Sequence, residues 1–160
     1  MFLNKKKVIL LISISSLVFF LFSNQVKSQE LRVVDGDTIY LDGEKIRFTG
    51  IDTPELKQTC INEVVIESCG VTAKEILVYK IGDNKVTCIS EGKDQYNRTL
   101  AECFVNNESL SKYLVRRGYA FAYRKYSKKF ILDEDYAKTN RIGMWKMKFD
   151  FPWEFRKLNK

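Results

Sequence analysis

Leu31-Arg32-Val33-Val34-Asp35-Gly36-Asp37-Thr38-Ile39-Tyr40-Leu41-Asp42-Gly43-Glu44-Lys45-Ile46-Arg47-Phe48 is the stretch on which the fold turns. Leu31–Val34, Thr38–Leu41 and Lys45–Phe48 are short runs of strand-forming residues, and Asp42-Gly43 between the last two is a hairpin dipeptide. Three strands therefore open the domain. Between the first two lies an acidic pair, Asp35 and Asp37, spaced so that on an extended backbone both carboxylates would face one side.

Working outward, Ala73 to Ile81 carries Ile76, Leu77 and Ile81 at helical spacing, and Gly82 supplies a stop. Lys85–Ile89 and Thr99–Val105 read as two further strands joined by a polar loop, Glu91 to Arg98. Asn107 is placed to cap a helix over Glu108–Arg117, and a last helix is expected over Lys129–Thr139. Three strands, a helix, two strands and two helices suit an α+β, mainly β architecture. The expectation is a five-stranded OB-fold Greek-key barrel with about three packed helices. It occupies residues 29–148 as one domain, with residues 149–160 as a C-terminal tail.

The chain opens with Lys5, Lys6 and Lys7, an apolar run from Val8 to Phe22, and a polar close at Val26-Lys27-Ser28. This is the pattern of a signal peptide over residues 1–28, or of an uncleaved N-terminal anchor through residues 8–22. The apolar run is shorter than the roughly 20 residues of a spanning helix. The expected protein is exported, periplasmic or secreted. The whole sequence carries a net charge of +7. Residues 1–28 contribute four lysines and no acid, so the remainder holds a weaker +3. Such a balance is compatible with a polyanionic partner without demonstrating one.

Four cysteines, Cys60, Cys69, Cys88 and Cys103, follow the export segment. An oxidising compartment makes paired cysteines the default there. Of the three possible pairings, 60–69 across a short polar loop and 88–103 across a strand pair are expected. Histidine is absent from the whole chain. That removes the imidazole base and, with no Cys-x-x-Cys spacing, disfavours zinc.

What remains for chemistry is carboxylate, guanidinium and phenol. Asp35 and Asp37 need a counter-ion, and oxygen-only ligands favour calcium or magnesium. Asp52-Thr53-Pro54-Glu55 follows the strand of Arg47, and Pro54 forces the chain out of the sheet. Arg47 and Asp52 have opposite strand parity, so they share a face only if the chain kinks between them, with Gly50 the place for it. Arg98, in Asp94-Gln95-Tyr96-Asn97-Arg98, can join Arg47 on one phosphate. Tyr123 and Tyr126, interleaved with Arg124 and Lys125, have the composition of a base-stacking surface, while Phe121 reads as core.

These residues together resemble the staphylococcal nuclease, or thermonuclease, family, in its secreted four-cysteine branch. The likeness covers nearly all of the mature chain. It rests on Val34-Asp35-Gly36-Asp37-Thr38, Arg47 with Ile51-Asp52-Thr53-Pro54-Glu55, Gln58-Thr59-Cys60, Cys69-Gly70, Val86-Thr87-Cys88, Asp94 to Arg98, Gly118 to Arg124 and Gly143-Met144-Trp145. The resemblance implies a calcium-dependent nuclease that hydrolyses DNA and RNA, with single strands preferred, to 3′-phosphate products and works as a monomer. It implies Asp37 and Asp52 as direct Ca²⁺ carboxylates, Thr53 as a backbone-carbonyl ligand and Asp35 as a ligand through water. Arg47, Glu55 and Arg98 are then the catalytic residues, and Tyr96, Tyr123 and Tyr126 the substrate-binding ones. Gln95 departs from the basic residue that many members carry beside Tyr96. A non-catalytic nucleic-acid-binding OB-fold module is the alternative, but such modules lose acids or arginines that this chain keeps.

Overall fold

In the computed structural model, which describes residues 28–159, strands β1 (Leu31–Val33), β2 (Thr38–Leu41) and β3 (Glu44–Phe48) form an antiparallel meander. Asp42 and Gly43 both take positive φ at the β2–β3 turn, the conformation a tight hairpin demands. β3 then pairs in parallel with β8 (Thr99–Val105), aligning Ile46 with Thr99, Arg47 with Leu100 and Phe48 with Ala101. Parallel neighbours need a long crossover. Here it runs through β4 (Ile51–Asp52), the hairpin β5 (Cys60–Asn62) and β6 (Val65–Glu67), helix α1 (Cys69–Ile81) and strand β7 (Val86–Lys93). The order β1-β2-β3-β8-β7 is that of an OB fold, with the short β9 (Glu108–Ser109) added beside β8.

At the seam between the first and last strands of that path, a side chain stands in for a ladder. Gln29 Nε2 donates to the Val86 carbonyl at 2.7 Å, and the Val86 N–H donates to Gln29 Oε1 at 2.8 Å. An amide side chain thus supplies the two bonds a strand neighbour would have made.

The sheet's inner face carries Ile39, Ile46, Phe48, Ala101 and Val105, all buried. Leu77 and Ile81 of α1 pack on it, with Leu110, Leu114 and Val115 of α2 (Leu110–Arg116). A second apolar cluster surrounds Phe121 of β10 (Phe121–Ala122) and Met144 in a 3₁₀ turn (Gly143–Lys146). Tyr119, Trp145, Phe149, Phe151 and Trp153 pack around it. Helix α3 (Ile131–Thr139) covers the side of the domain, and α4 (Pro152–Leu158) follows the second cluster.

Two disulfides join 60–69 and 88–103, with Cα separations of 5.9 and 4.0 Å. Cys88 and Cys103 stand directly opposite in the β7–β8 register. β7 runs four residues beyond the expected Ile89 through a bulge between Ser90 and Gly92, so the polar loop is shorter than the sequence suggested.

Local expectations fail where neighbouring turns take over. Asn107 does not cap α2: Asn106 and Asn107 both have positive φ and form the β8–β9 turn, and Ser109 Oγ accepts the Lys112 N–H as the cap. Asp35 and Asp37 do not lie on an extended strand. They form a bend in which Asp35 Oδ1 accepts the Asp37 N–H at 3.1 Å, an aspartate turn that redirects the chain into β2. The segment between Cys60 and Cys69 is the β5–β6 hairpin, whose Val64, Val65 and Ile66 are exposed, where a polar loop was expected. Residues 1–27, and with them the expected leader and the apolar run 8–22, lie outside the described residues. Among the described residues no helix is long and apolar enough to cross a membrane.

Candidate active site

β3 ends at Phe48, the chain bends at Thr49-Gly50, and β4 begins at Ile51. Gly50 has φ +73, a conformation that costs other residues strain, and a Cβ there would press on Phe130 and Ser127. This kink brings the opposite-parity pair together: Arg47 Nη2 donates to Asp52 Oδ1 at 2.9 Å. Arg47 Nη1 meanwhile donates to Asp37 Oδ1 at 2.6 Å. One guanidinium thus bridges two carboxylates from different loops.

Each carboxylate is held from behind. Asp37 Oδ2 accepts the Thr53 N–H at 3.1 Å, and Asp37 Oδ1 also accepts the Thr38 hydroxyl. Asp52 is opposite Phe121 in the β4–β10 register, above the second apolar cluster, which accounts for its complete burial. β10 in turn is fixed by a buried carboxylate, since Glu134 Oε1 of α3 accepts the Ala122 N–H at 2.8 Å while Oε2 pairs with Arg124.

The turn at Glu55 is tied in three ways. The Glu55 carbonyl accepts the Gln58 N–H at 2.7 Å, and the fully buried Gln58 side chain accepts the Glu55 N–H. Gln58 Nε2 donates to the Asp150 carbonyl at 2.6 Å, linking this turn to the C-terminal segment. Glu55 itself reaches solvent, and its side chain pairs with Arg156 of α4 at 2.8 Å. Arg156 also takes both oxygens of Asp52, at 2.6 and 3.2 Å. A cleft of about 620 Å³ opens here, lined by Asp35, Glu55, Leu56, Lys57, Phe155 and Arg156 among others.

The electrostatics follow from this packing. Burial pushes the Asp37 carboxyl up to about 6, against the pull of Arg47 and with a further push from Asp35. Burial also raises Asp52, partly offset by its bonds from Arg156. Both arginines are held more firmly charged than usual. Burial acts against their charge, but for Arg47 the attraction of Asp37 and Asp52 outweighs it, and for Arg156 the hydrogen bonds to Asp52 and Glu55 do.

The structure brings together Asp37, Arg47, Asp52, Thr53 and Glu55, with Asp35 at the edge of the same cleft. Arg98 immediately precedes β8, whose Leu100 is the register partner of Arg47. Its guanidinium is engaged elsewhere, with Asp94 at 2.7 Å, and lies over the Tyr96 ring at 5.6 Å. Tyr96 and Tyr126 are largely exposed. Tyr123 stacks on Trp153 at 5.9 Å and meets Tyr126 edge-on at 5.0 Å. Phe121 is fully buried, as expected of core.

Arg156, Gln58, Glu134 and Trp153 were not expected at the site. For Arg156 a local signal exists: Pro152 followed by Glu154 is a helix start, which marks residues 152–158 as an ordered element where a tail was expected. Gln58 and Glu134 carry no such signal, because only the fold brings their partners to them.

The family model described as staphylococcal nuclease homologue matches residues 45–147. An uncharacterized protein of Methanocaldococcus jannaschii is 32% identical over 146 residues, which span 72% of this chain and 69% of that protein. Endonuclease YncB of Bacillus subtilis is 31% identical over 133 residues, covering 71% of this chain and 59% of its own. An uncharacterized endonuclease of Haemophilus influenzae is 29% identical over 122 residues, covering 72% and 64% respectively. The matched segment takes in Arg47, the kink at Gly50 and the Asp52–Glu55 turn, together with most of the OB fold that positions them, and on this likeness the chain belongs to the family of staphylococcal nuclease homologues.

Proposed function

We propose that the chain is an exported, calcium-dependent nuclease that hydrolyses phosphodiester bonds of DNA and RNA, with single strands preferred, and leaves 3′-phosphate ends. The observation that carries this reading is the Asp37–Arg47–Asp52 cluster, buried beside a cleft that Asp35 and Glu55 line. Relatives in the same family are named endonucleases, which supports the reaction class. The reading takes the chain to act as a monomer.

The donor set fits a hard divalent cation. Asp35, Asp37, Asp52 and Glu55 are four carboxylates, and Arg47 and Arg156 are the two guanidiniums that pair among them. Two negative charges are left over when all are ionised, an excess that a divalent cation would cancel. All the candidate ligands are oxygens, which suits calcium. Asp37 and Asp52 would hold the ion, with the Thr53 carbonyl, and Asp35 would reach it through water. Among the described residues, no three acidic side chains enclose a metal position by themselves, and arginine nitrogens occupy the space between them. A bound Ca²⁺ would polarise a phosphoryl oxygen and neutralise charge that develops on it.

The chain's own groups do the remaining work. Arg47, paired with Asp37 and Asp52, would bind a non-bridging phosphate oxygen. Arg98, two residues before the Leu100 that pairs with Arg47, would leave Asp94 to grip the phosphate in bidentate fashion. Glu55, at the cleft with its side chain 43% exposed, accepts a proton from the attacking water. The exposed rings of Tyr96 and Tyr126 offer stacking surface to unpaired bases, with Tyr123 braced by Trp153 behind them.

The test is hydrolysis of single-stranded DNA by the wild-type chain with calcium, with a chelator, and by Glu55→Gln with calcium. Activity in the first condition alone supports the reading. Binding without cleavage in all three would make the chain a nucleic-acid-binding module.

A further inference from the structure

We propose that Arg156 is a positioning residue of this site that acts as a built-in counter-cation: it holds Asp52 and Glu55 in the metal-free protein and gives up their oxygens when a divalent cation binds. The inference rests on the proposed function in one respect, that Asp52 is a metal ligand with the base Glu55 beside it.

The hydrogen bonds of Asp52 make the case. Its Oδ1 accepts from Arg47 at 2.9 Å and from Arg156 at 3.2 Å, and its Oδ2 accepts from Arg156 at 2.6 Å. Both oxygens of this buried carboxylate are therefore occupied by guanidinium nitrogens. An incoming cation meets a guanidinium already seated at whichever oxygen it approaches.

The two arginines are unequal in how easily they yield. Arg47 is anchored on a central strand, its side chain 20% exposed, and it bridges two carboxylates that are themselves buried. Arg156 is 37% exposed and sits near the end of a seven-residue helix, and its other partner, Glu55, is 43% exposed. A guanidinium at the rim of an open cleft recovers hydration when it lets go, whereas one beneath a strand does not. Arg156 is the one that moves.

Its placement is nonetheless built into the fold. α4 is fastened at its start by Gln58 Nε2 on the Asp150 carbonyl, by the buried Pro152, and by Trp153 stacked between Phe151 and Tyr123. These contacts hold the helix against the Glu55 turn whether or not the Arg156 head is engaged. Arg156 lies beyond the segment that the family model matches, which ends at residue 147. The C-terminal helix thus contributes a charged side chain to a carboxylate cluster whose other members lie between residues 35 and 55.

The consequence is competition. A unit positive charge on the candidate ligand Asp52 and the neighbouring Glu55 opposes a divalent cation through direct repulsion and through the oxygens it occupies. Removing that charge should tighten calcium binding at least about tenfold, since two charges a few ångströms apart interact strongly even at surface-like dielectric. Metal affinity in the wild type is correspondingly held down until the arginine is displaced.

The experiment is calorimetric titration of calcium chloride, without nucleic acid, into the full chain and into Arg156→Met, Arg156→Gln and Arg156→Lys, with circular dichroism to confirm folding. Both neutral variants are expected to bind calcium at least about tenfold more tightly than wild type and to melt at lower temperature without metal. Arg156→Lys, which keeps the charge but loses the two-nitrogen grip on Asp52, should bind calcium less tightly than either neutral variant. Should Arg156→Met fail to fold, Arg156→Gln, which keeps a hydrogen-bond donor, decides the matter. In the wild type alone, the Arg156 Nε–H resonance should shift on calcium addition. Neutral variants that bind calcium no tighter than wild type, or an Arg156 resonance that is unmoved while calcium binds, would overturn the inference and leave the proposed nuclease activity standing. A wild-type chain that binds no calcium would overturn both.

Discussion

Gly70, in the first turn of α1, lies so close to the Glu55–Leu56 backbone that a Cβ at residue 70 would overlap the Glu55 carbonyl carbon and oxygen. The candidate base is therefore placed by a missing side chain on another element. Gly70→Ala is expected to push the turn outward, costing about 1–3 kcal/mol of stability. It should also slow phosphodiester cleavage more than it weakens substrate binding. Thermal denaturation together with separate kcat and KM values checks this, and unaltered kinetics would show that Glu55 tolerates displacement.

Arg47 and Arg98 should part company under mutation. Both are proposed to grip phosphate, so Arg47→Ala and Arg98→Ala should each lower kcat by about 10²–10³. Only Arg47→Ala leaves buried carboxylates without a bridge, so in chelator it alone should cost stability, on the order of 3 kcal/mol. Arg98 pairs with Asp94 in a partly exposed loop, and its loss should change stability little. Chemical denaturation of both variants without metal makes the comparison.

The pH dependence of metal-free stability should carry a signature of Asp37. Its carboxyl is raised from 3.8 to about 6 by burial, so the folded chain holds that proton more tightly than the unfolded one. The resulting stabilisation is present below pH 4 and is lost as pH rises through about 6. Measured in chelator, the melting temperature of wild type should fall relative to Asp37→Asn between about pH 4 and pH 7. A constant difference between the two would contradict the shift.

The seam at Gln29 should be costly to open. Gln29→Ala removes a donor and an acceptor from the Val86 backbone at the start of β7. The expected loss is about 1–3 kcal/mol, with amide exchange at Val86 accelerated. Gln29→Glu keeps the acceptor but loses the donor and should fall between the two.

Much of this architecture was legible because its causes are local. Alternation in Thr38–Leu41 and Lys45–Phe48, with Asp42-Gly43 between them, is a pattern of nearest neighbours, and the structure pairs those strands where expected. The need for a bend between Arg47 and Asp52 followed from strand parity alone, and Gly50 supplies it with a positive φ. Asn107 misled because its preference for a cap and its preference for a left-handed turn are satisfied by the same side chain, and the β8–β9 pairing chose the turn. The C-terminal segment was illegible as part of the site because its contacts, Gln58 with Asp150 and Asp52 with Arg156, span 92 and 104 residues of sequence.

From residue types and spacing alone the chain was bound to be a small mainly β domain with oxygen-rich, histidine-free chemistry, since composition and period-two patterning act over a few residues. Tertiary structure alone decided which cations sit on which carboxylates. Arg47 bridges Asp37 and Asp52 because the kink turns β4 back toward β2, and Arg156 closes on Asp52 and Glu55 because aromatic packing delivers α4 to the cleft. Ion pairing depends on separations of a few ångströms, and only the folded core sets those separations between groups so distant along the chain.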